Sequence, residues 1–172
     1  MKKISVIGCP ESGKSTFSKT LEGIINIPIY HLDMMYWNED RTTVEKSVFQ
    51  KRLFEALTGE KWIIDGNYAS TLEARLKASD TVFFLDYPLE VCMAGILERR
   101  GKPRSDMPWV EKETELDEEF VNFVMNYREK SRPEVLSLLE RYKDKKIYVF
   151  KSREEADEFL ESLLLEKRNS RN

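Results

Sequence analysis

The stretch that decides the fold is Gly8-Cys9-Pro10-Glu11-Ser12-Gly13-Lys14-Ser15. It follows the β-branched run Lys3–Ile7, which is typical of a buried strand, and an apolar pattern with helical spacing starts at Lys14. The eight residues match GxxxxGK[ST], the pattern of a phosphate-binding loop, and a strand before it and a helix after it are the context that this pattern requires. Average residue frequencies give such a match by chance in about one chain of this length in two hundred.

The residues of this loop have a physical reason to bind phosphate. Gly8 and Gly13 lack a Cβ atom, so the backbone can curl and turn successive N–H groups toward an anion, and the positive end of the following helix adds to the field. We expect the Lys14 side chain to reach the β- and γ-phosphates of ATP and the Ser15 hydroxyl to bind Mg²⁺. The predicted nucleotide site consists of Gly8, Cys9, Pro10, Glu11, Ser12, Gly13, Lys14, Ser15 and Thr16.

Apolar patterning organises the rest of the chain into alternating strands and helices. Further strands are predicted at 27–32, 62–66, 81–85 and 147–150. Gly23 is expected to end the first helix, and the capping box Ser152–Glu155 begins the last one, which we expect to fray from about residue 167. This alternation predicts a single α/β domain, a three-layer sandwich with a parallel sheet, whose ligands lie at the carboxyl ends of the strands.

Composition excludes several classes of protein. The 172 residues carry 28 Lys and Arg against 31 Asp and Glu, a net charge of −3, which disfavours direct binding of nucleic acid through bulk positive charge. A single histidine excludes a metal site built from several histidines, and the distant Cys9 and Cys92 disfavour a disulfide framework. No stretch approaches the roughly 20 apolar residues of a membrane span. We therefore expect a cytoplasmic protein of undetermined oligomeric state.

Three aspartates end predicted strands, and Mg²⁺ sites need a carboxylate. We favour Asp65 for a water-mediated contact with Mg²⁺, and Asp33 for orienting an acceptor hydroxyl or acting as its base, since the apolar and aromatic residues 34–37 suit an acceptor pocket. The alternative for each is a turn or capping role, which we favour for Asp86. His31 is more often a packed histidine than a catalyst.

Arginines supply the remaining candidates. The segment Arg99–Arg104 holds four cations in six residues with two chain breakers, and predicts a lid at about 99–112. We expect its arginines to neutralise the transferring phosphoryl group, namely Arg99, Arg100 and Arg104. Arg128 and Arg132 are four residues apart and are expected to share a helical face that reaches the same phosphates, and Arg75 is a weaker candidate for the acceptor side. A solvated surface is the alternative for each cluster.

At this point the chain resembles the P-loop nucleoside and nucleotide kinases of the adenylate-kinase type, from Lys3 to about Leu165. The residues that carry the resemblance are Gly8 to Thr16, Ile63-Ile64-Asp65-Gly66, Val82 to Pro88 and the Arg99–Arg104 segment. A more specific set resembles the DNA topology modulation (FlaR-related) proteins, namely His31-Leu32-Asp33 with Tyr36-Trp37, Trp62 to Tyr68, and Arg104 with Asp106-Met107.

This resemblance implies a five-stranded parallel sheet in the order 2-3-1-4-5, flanked by helices, with an acceptor segment at about 33–75 and a short lid. Two departures separate the chain from adenylate kinases. Asn67-Tyr68 stands where those enzymes have Phe-Pro-Arg, and Glu11 stands where their loop has glycine. The resemblance therefore implies ATP binding without implying a nucleoside monophosphate as the acceptor.

Together these observations predict an ATP-binding kinase that uses Mg²⁺ to phosphorylate a small-molecule or nucleotide-like acceptor. Two alternatives remain open. One is an ATP-dependent modulator of DNA topology, and the other is an ATPase or a nucleotide-binding switch without a small-molecule acceptor. The acceptor and the preference for ATP or GTP are left undetermined by the sequence.

Overall fold

The structure is a computed structural model that describes residues 1–99, 106–108 and 118–170. The described strands are β1 (Lys3–Gly8), β2 (Ile29–His31), β3 (Trp62–Asp65), β4 (Thr81–Leu85) and β5 (Lys146–Phe150). The described helices are α1 (Lys14–Ile25), α2 (Leu32–Tyr36), α3 (Lys46–Thr58), α4 (Ala69–Ala78), α5 (Leu89–Arg99), α6 (Glu118–Lys130), α7 (Arg132–Arg141) and α8 (Arg153–Asn169).

The five strands form one parallel sheet in the order β2-β3-β1-β4-β5. Ser5 in the central strand lies opposite Ile64 on one side and Val82 on the other. All carboxyl ends of the strands therefore point to the same edge, where the loop after β1 also lies. The α/β fold class and the strand order are confirmed.

Helices cover both faces of the sheet because successive strand residues point to opposite sides. Phe83 packs with residues of α1, α5 and α8 on one face, whereas Phe84 packs with residues of α4 and α7 on the other. A third cluster joins α3 to the β2–β3 end of the second face, around the fully buried Trp62. These three clusters make the predicted three-layer sandwich.

Three element boundaries differ from the sequence prediction. Strand β2 covers only Ile29–His31, because α2 begins at Leu32. Helix α1 runs past Gly23 and ends at Asn26, whose φ of 56° lies in the left-handed region that asparagine tolerates at a helix end. Helix α8 continues to Asn169, past the residue at which fraying was predicted, and the Lys167 ammonium donates to the carbonyl of Ile24.

Within the described ranges, none of the helices combines the length and the apolar character needed to cross a membrane.

Candidate active site

The phosphate-binding loop lies at the centre of the carboxyl edge, between β1 and α1. Gly8, the last residue of β1, begins it opposite Leu85 of β4, and a Cβ atom there would lie 2.5 Å from the carbonyl oxygen of Leu85. Gly13, at φ 84°, ends the loop in the left-handed region that glycine favours. The Lys14 ammonium donates to the carbonyl of Cys9 across the loop at 2.8 Å. The loop is therefore curled as a phosphate site requires.

Two features of this loop fit a nucleotide phosphate. Burial lowers the pKa of Lys14, against the opposing charges of Asp65 and Asp33, so an anion beside the ammonium would be favourable. The buried Ser12 hydroxyl lines the cleft and has no hydrogen-bond partner in the described part of the chain. A phosphate oxygen is a suitable partner for each of them.

Glu11 connects the phosphate-binding loop to helix α5. Its φ of 63° lies in the left-handed region, and its carboxylate pairs with the Arg99 guanidinium at the end of α5. Gly95, one turn earlier on α5, approaches so closely that an added Cβ would lie 2.5 Å from the Glu11 carbonyl oxygen. Helix α5 therefore holds the loop from outside, and Arg99 is bound to Glu11 at the edge of the site.

Asp65 and His31 form a buried pair at the ends of neighbouring strands. They lie opposite each other in the β2–β3 register, and His31 Nδ1 lies 2.9 and 3.0 Å from the two Asp65 carboxylate oxygens. Burial lowers the pKa of His31, but the hydrogen bond and the charge of Asp65 outweigh it, so the pKa is raised above 6.5. Both residues were considered from the sequence, but their pairing was not predicted.

This pair makes the stability of the fold depend on pH. A histidine whose pKa is raised in the folded state stabilises the fold fully below its unfolded pKa of 6.5, and this stabilisation is lost as the pH rises through the folded value. A charged hydrogen bond of this kind contributes about 1.5–3 kcal/mol. We expect His31→Gln, which removes the chain's single histidine, to lower the free energy of unfolding more at about pH 6 than at about pH 9. Urea denaturation at both pH values measures this, and equal losses would contradict the charged pair.

The Ser15 hydroxyl donates to the carboxylate of Asp106 at 2.7 Å. Asp106 is 9% exposed, and its charge also contributes to raising the pKa of His31, so it lies near the His31–Asp65 pair. Asp106 is among the residues that carry the resemblance, but no role was predicted for it. A carboxylate inside a basic predicted lid was the signal that could have found it.

The oxygen atoms around Ser15 fit Mg²⁺. This ion prefers oxygen ligands, and in phosphoryl-transfer sites it is held by one or two carboxylates together with phosphate oxygens and water. Ser15, Asp65 and Asp106 offer a hydroxyl and two carboxylates beside the phosphate-binding loop. Among the described residues, no group of three or more His, Cys, Asp or Glu is arranged to hold a metal ion.

On the other side of the cleft, Asp33 is held by an aromatic residue. The Tyr68 hydroxyl donates to an Asp33 carboxylate oxygen at 2.6 Å. Burial and the nearby charge of Asp33 raise the pKa of Tyr68, so the hydroxyl stays protonated as a donor. This contact places the Asp33 carboxylate in the cleft, where the acceptor pocket was predicted.

A single cleft of about 1100 Å³ connects these groups. It brings together the loop residues from Pro10 to Thr16 and the side chains of Asp33, Asp65, Arg99 and Asp106. The other lid candidates, Arg100 and Arg104, lie outside the described residues, as does most of the predicted lid.

Three other arginines do not line this cleft. Arg132 makes a bidentate ion pair with the buried Asp86 at 2.6 and 2.7 Å, and Lys151 also binds Asp86. The expectation that Arg128 and Arg132 share a helical face is wrong, because α6 ends at Lys130 and α7 begins at Arg132 with a proline in its first turn.

Arg75 is wholly buried and donates to the carbonyls of Gly66 and Asn67. It supports the loop that follows Asp65, the last residue of β3. Arg75, a weaker candidate for the acceptor side, therefore does not line the cleft.

Three solved structures with a similar fold are named as kinases. Shikimate kinase from Bacteroides thetaiotaomicron has a TM-score of 0.56 at 17% sequence identity, over 95% of this chain and 97% of its own. Gluconokinase from Sinorhizobium meliloti 1021 has a TM-score of 0.58 at 13% identity, over 98% and 92%. Shikimate kinase from Acinetobacter baumannii, in complex with shikimate, has a TM-score of 0.58 at 15% identity, over 97% and 95%.

No protein-family model matches the chain, and no curated protein matches it. At these identities the likeness to solved structures shows the P-loop kinase fold. The narrower resemblance to DNA topology modulation proteins stays a prediction.

Proposed function

We propose that this protein is a kinase that transfers the γ-phosphoryl group of ATP, with Mg²⁺, to a hydroxyl group of a small molecule. The observation that carries the proposal is a single cleft with a phosphate-binding loop on one side and a fixed carboxylate, Asp33, on the other. The structural neighbours are named as kinases of small molecules, which supports the same class.

The residues of the cleft have separate roles in this transfer. The loop N–H groups and Lys14 would bind the phosphates. Ser15, Asp65 and Asp106 would hold Mg²⁺, with water mediating the contact of Asp65. When bound, Mg²⁺ supplies neutralisation of the phosphate charge. The acceptor hydroxyl forms the new O–P bond and gives its proton to Asp33, while the bond to the leaving oxygen of ADP breaks. Arg99 lines the cleft beside Glu11 of the loop, and we assign it the role of stabilising the charge that develops.

The test is a direct measurement of phosphoryl transfer from γ-labelled ATP. The acceptors are nucleosides, nucleoside monophosphates, sugar acids and neutral polyols, each assayed with and without Mg²⁺. We expect one class to raise ADP release at least about tenfold above release without acceptor, only with Mg²⁺, and with label recovered in the product. Equal ADP release across the whole panel would overturn the proposal and favour an ATPase or a nucleotide-binding switch.

A further inference from the structure

The acceptor side of the cleft has an aromatic wall, made by Tyr36, Trp37 and Tyr68. The ring centroid of Tyr36 lies 5.2 Å from that of Trp37 and 4.9 Å from that of Tyr68. Behind the wall, Tyr36 and Tyr68 pack on the buried Phe49 at 5.3 and 5.1 Å. The rings are therefore fixed by the core on one side and line the cleft on the other.

A hydrogen bond connects this aromatic wall to Asp33. The Tyr68 hydroxyl donates to an Asp33 carboxylate oxygen at 2.6 Å. This bond and the packing of Tyr68 on Phe49 fix the Tyr68 ring beside the Asp33 carboxylate, so the distance between ring surface and carboxylate is set by the fold. A ligand that contacts both the ring and the carboxylate must carry a hydroxyl group close to an apolar surface.

The charge on this side disfavours an anion. Asp33 is a carboxylate that lines the cleft, and it repels a phosphate or carboxylate on an acceptor. Arg75 does not line the cleft, because it is buried against the carbonyls of Gly66 and Asn67. Arg41 and Lys19 are exposed residues that line the cleft and would favour an anionic acceptor, so the experiment must separate charge from ring.

We infer that the acceptor is a planar, uncharged ring compound with a hydroxyl group. The ring stacks on the aromatic wall, and the hydroxyl donates a hydrogen bond to Asp33. Aromatic rings stack on aromatic side chains with useful affinity, and the stacking tolerates different ring chemistry. This inference rests on the proposed kinase function, and it excludes the sugar acids and nucleotides that the same fold could accept.

Four classes of acceptor separate ring from charge. Nucleosides and hydroxymethyl-pyridines are planar and uncharged, nucleoside 5′-monophosphates are planar and anionic, gluconate and shikimate are anionic without an aromatic ring, and glucose and glycerol have neither feature. We expect kcat/KM for the best planar uncharged compound to exceed that of the other three classes by at least about tenfold. The highest kcat/KM in any other class would overturn the inference.

Variants then locate the effect in the aromatic wall. Tyr36→Leu removes a stacking surface, and we expect it to raise KM by about tenfold with little change in kcat. Tyr68→Phe keeps the ring but removes the hydroxyl that positions Asp33, and we expect it to lower kcat by about tenfold with little change in KM. Tyr30→Phe is the matched control, since Tyr30 packs near the same core cluster without lining this cleft. Equal effects of all three variants would contradict the assigned roles.

Binding measurements separate failure of this inference from failure of the proposed kinase function. ATP binding is measured by calorimetry, and binding of a planar compound by the change in tryptophan fluorescence that Trp37→Phe removes. Phosphorylation of another class, without binding of planar compounds, overturns the inference alone. Binding of planar compounds without transfer to any class overturns the kinase function and leaves the ring site. Absence of ATP binding and of planar-compound binding overturns both.

Discussion

Replacement of Lys14 by alanine is expected to lower the rate of phosphoryl transfer by about 10²- to 10³-fold, the usual cost of removing one donor aimed at developing charge. The ammonium lies inside the curl of the loop, where it donates to the Cys9 carbonyl and faces the charges of Asp65 and Asp33. Single-turnover transfer from γ-labelled ATP measures the loss directly.

The matched control is Lys77→Ala, because Lys77 is an exposed lysine on α4. We expect it to leave transfer within about twofold of the parent protein. Since burial lowers the pKa of Lys14, the fold disfavours its protonated form, and Lys14→Ala should not lower the thermal midpoint below that of the parent protein. Unchanged ATP affinity and turnover in Lys14→Ala would show that the loop assignment is wrong.

Gly95→Ala is expected to lower the free energy of unfolding by about 1–3 kcal/mol and to weaken ATP binding. Helix propensity alone predicts the opposite sign, a gain of about 1 kcal/mol for alanine inside a helix. The structure decides between them, because the new Cβ would lie 2.5 Å from the Glu11 carbonyl oxygen and either α5 or the loop must move. Denaturant unfolding and ATP calorimetry on the same preparation measure both effects.

Gly23→Ala is the matched control for this substitution. Gly23 is also a helical glycine, but a Cβ there would meet nothing within 4 Å. We expect this variant to gain up to about 1 kcal/mol and to bind ATP as the parent protein does. If Gly95→Ala stabilises the protein as Gly23→Ala does, the close contact between α5 and the loop is incorrect.

Local patterns were enough to predict the strands, most helices and the phosphate-binding loop. Their residues are neighbours in sequence, so spacing alone reports their structure. The contacts that complete the site join distant residues. Ser15 and Asp106 are 91 positions apart, and Arg99 and Glu11 are 88 positions apart. Such pairs depend on which helix packs beside which loop, and a single sequence does not report that.

Arg132 shows the same limit of spacing arguments in a different way. Arg128 and Arg132 are four positions apart, a spacing that puts two residues on one face only within a single helix, yet the structure divides them between α6 and α7. The break redirects Arg132 toward Asp86, which it binds with two nitrogens. Pro133, a residue typical of the first turn of a new helix, was the available signal.

The strand order also determines which two strands lie at the edges of the sheet, where another chain could pair. A sheet edge presents unpaired main-chain groups that can recruit a second chain and start aggregation. Here one edge, β2, is only three residues long and follows Pro28, while the other, β5, begins at the exposed Lys146 and is followed by the exposed Lys151. Short length, proline and lysine are the devices that keep edge strands from pairing, so the same topology that gathers the site at one edge leaves little strand surface for self-association.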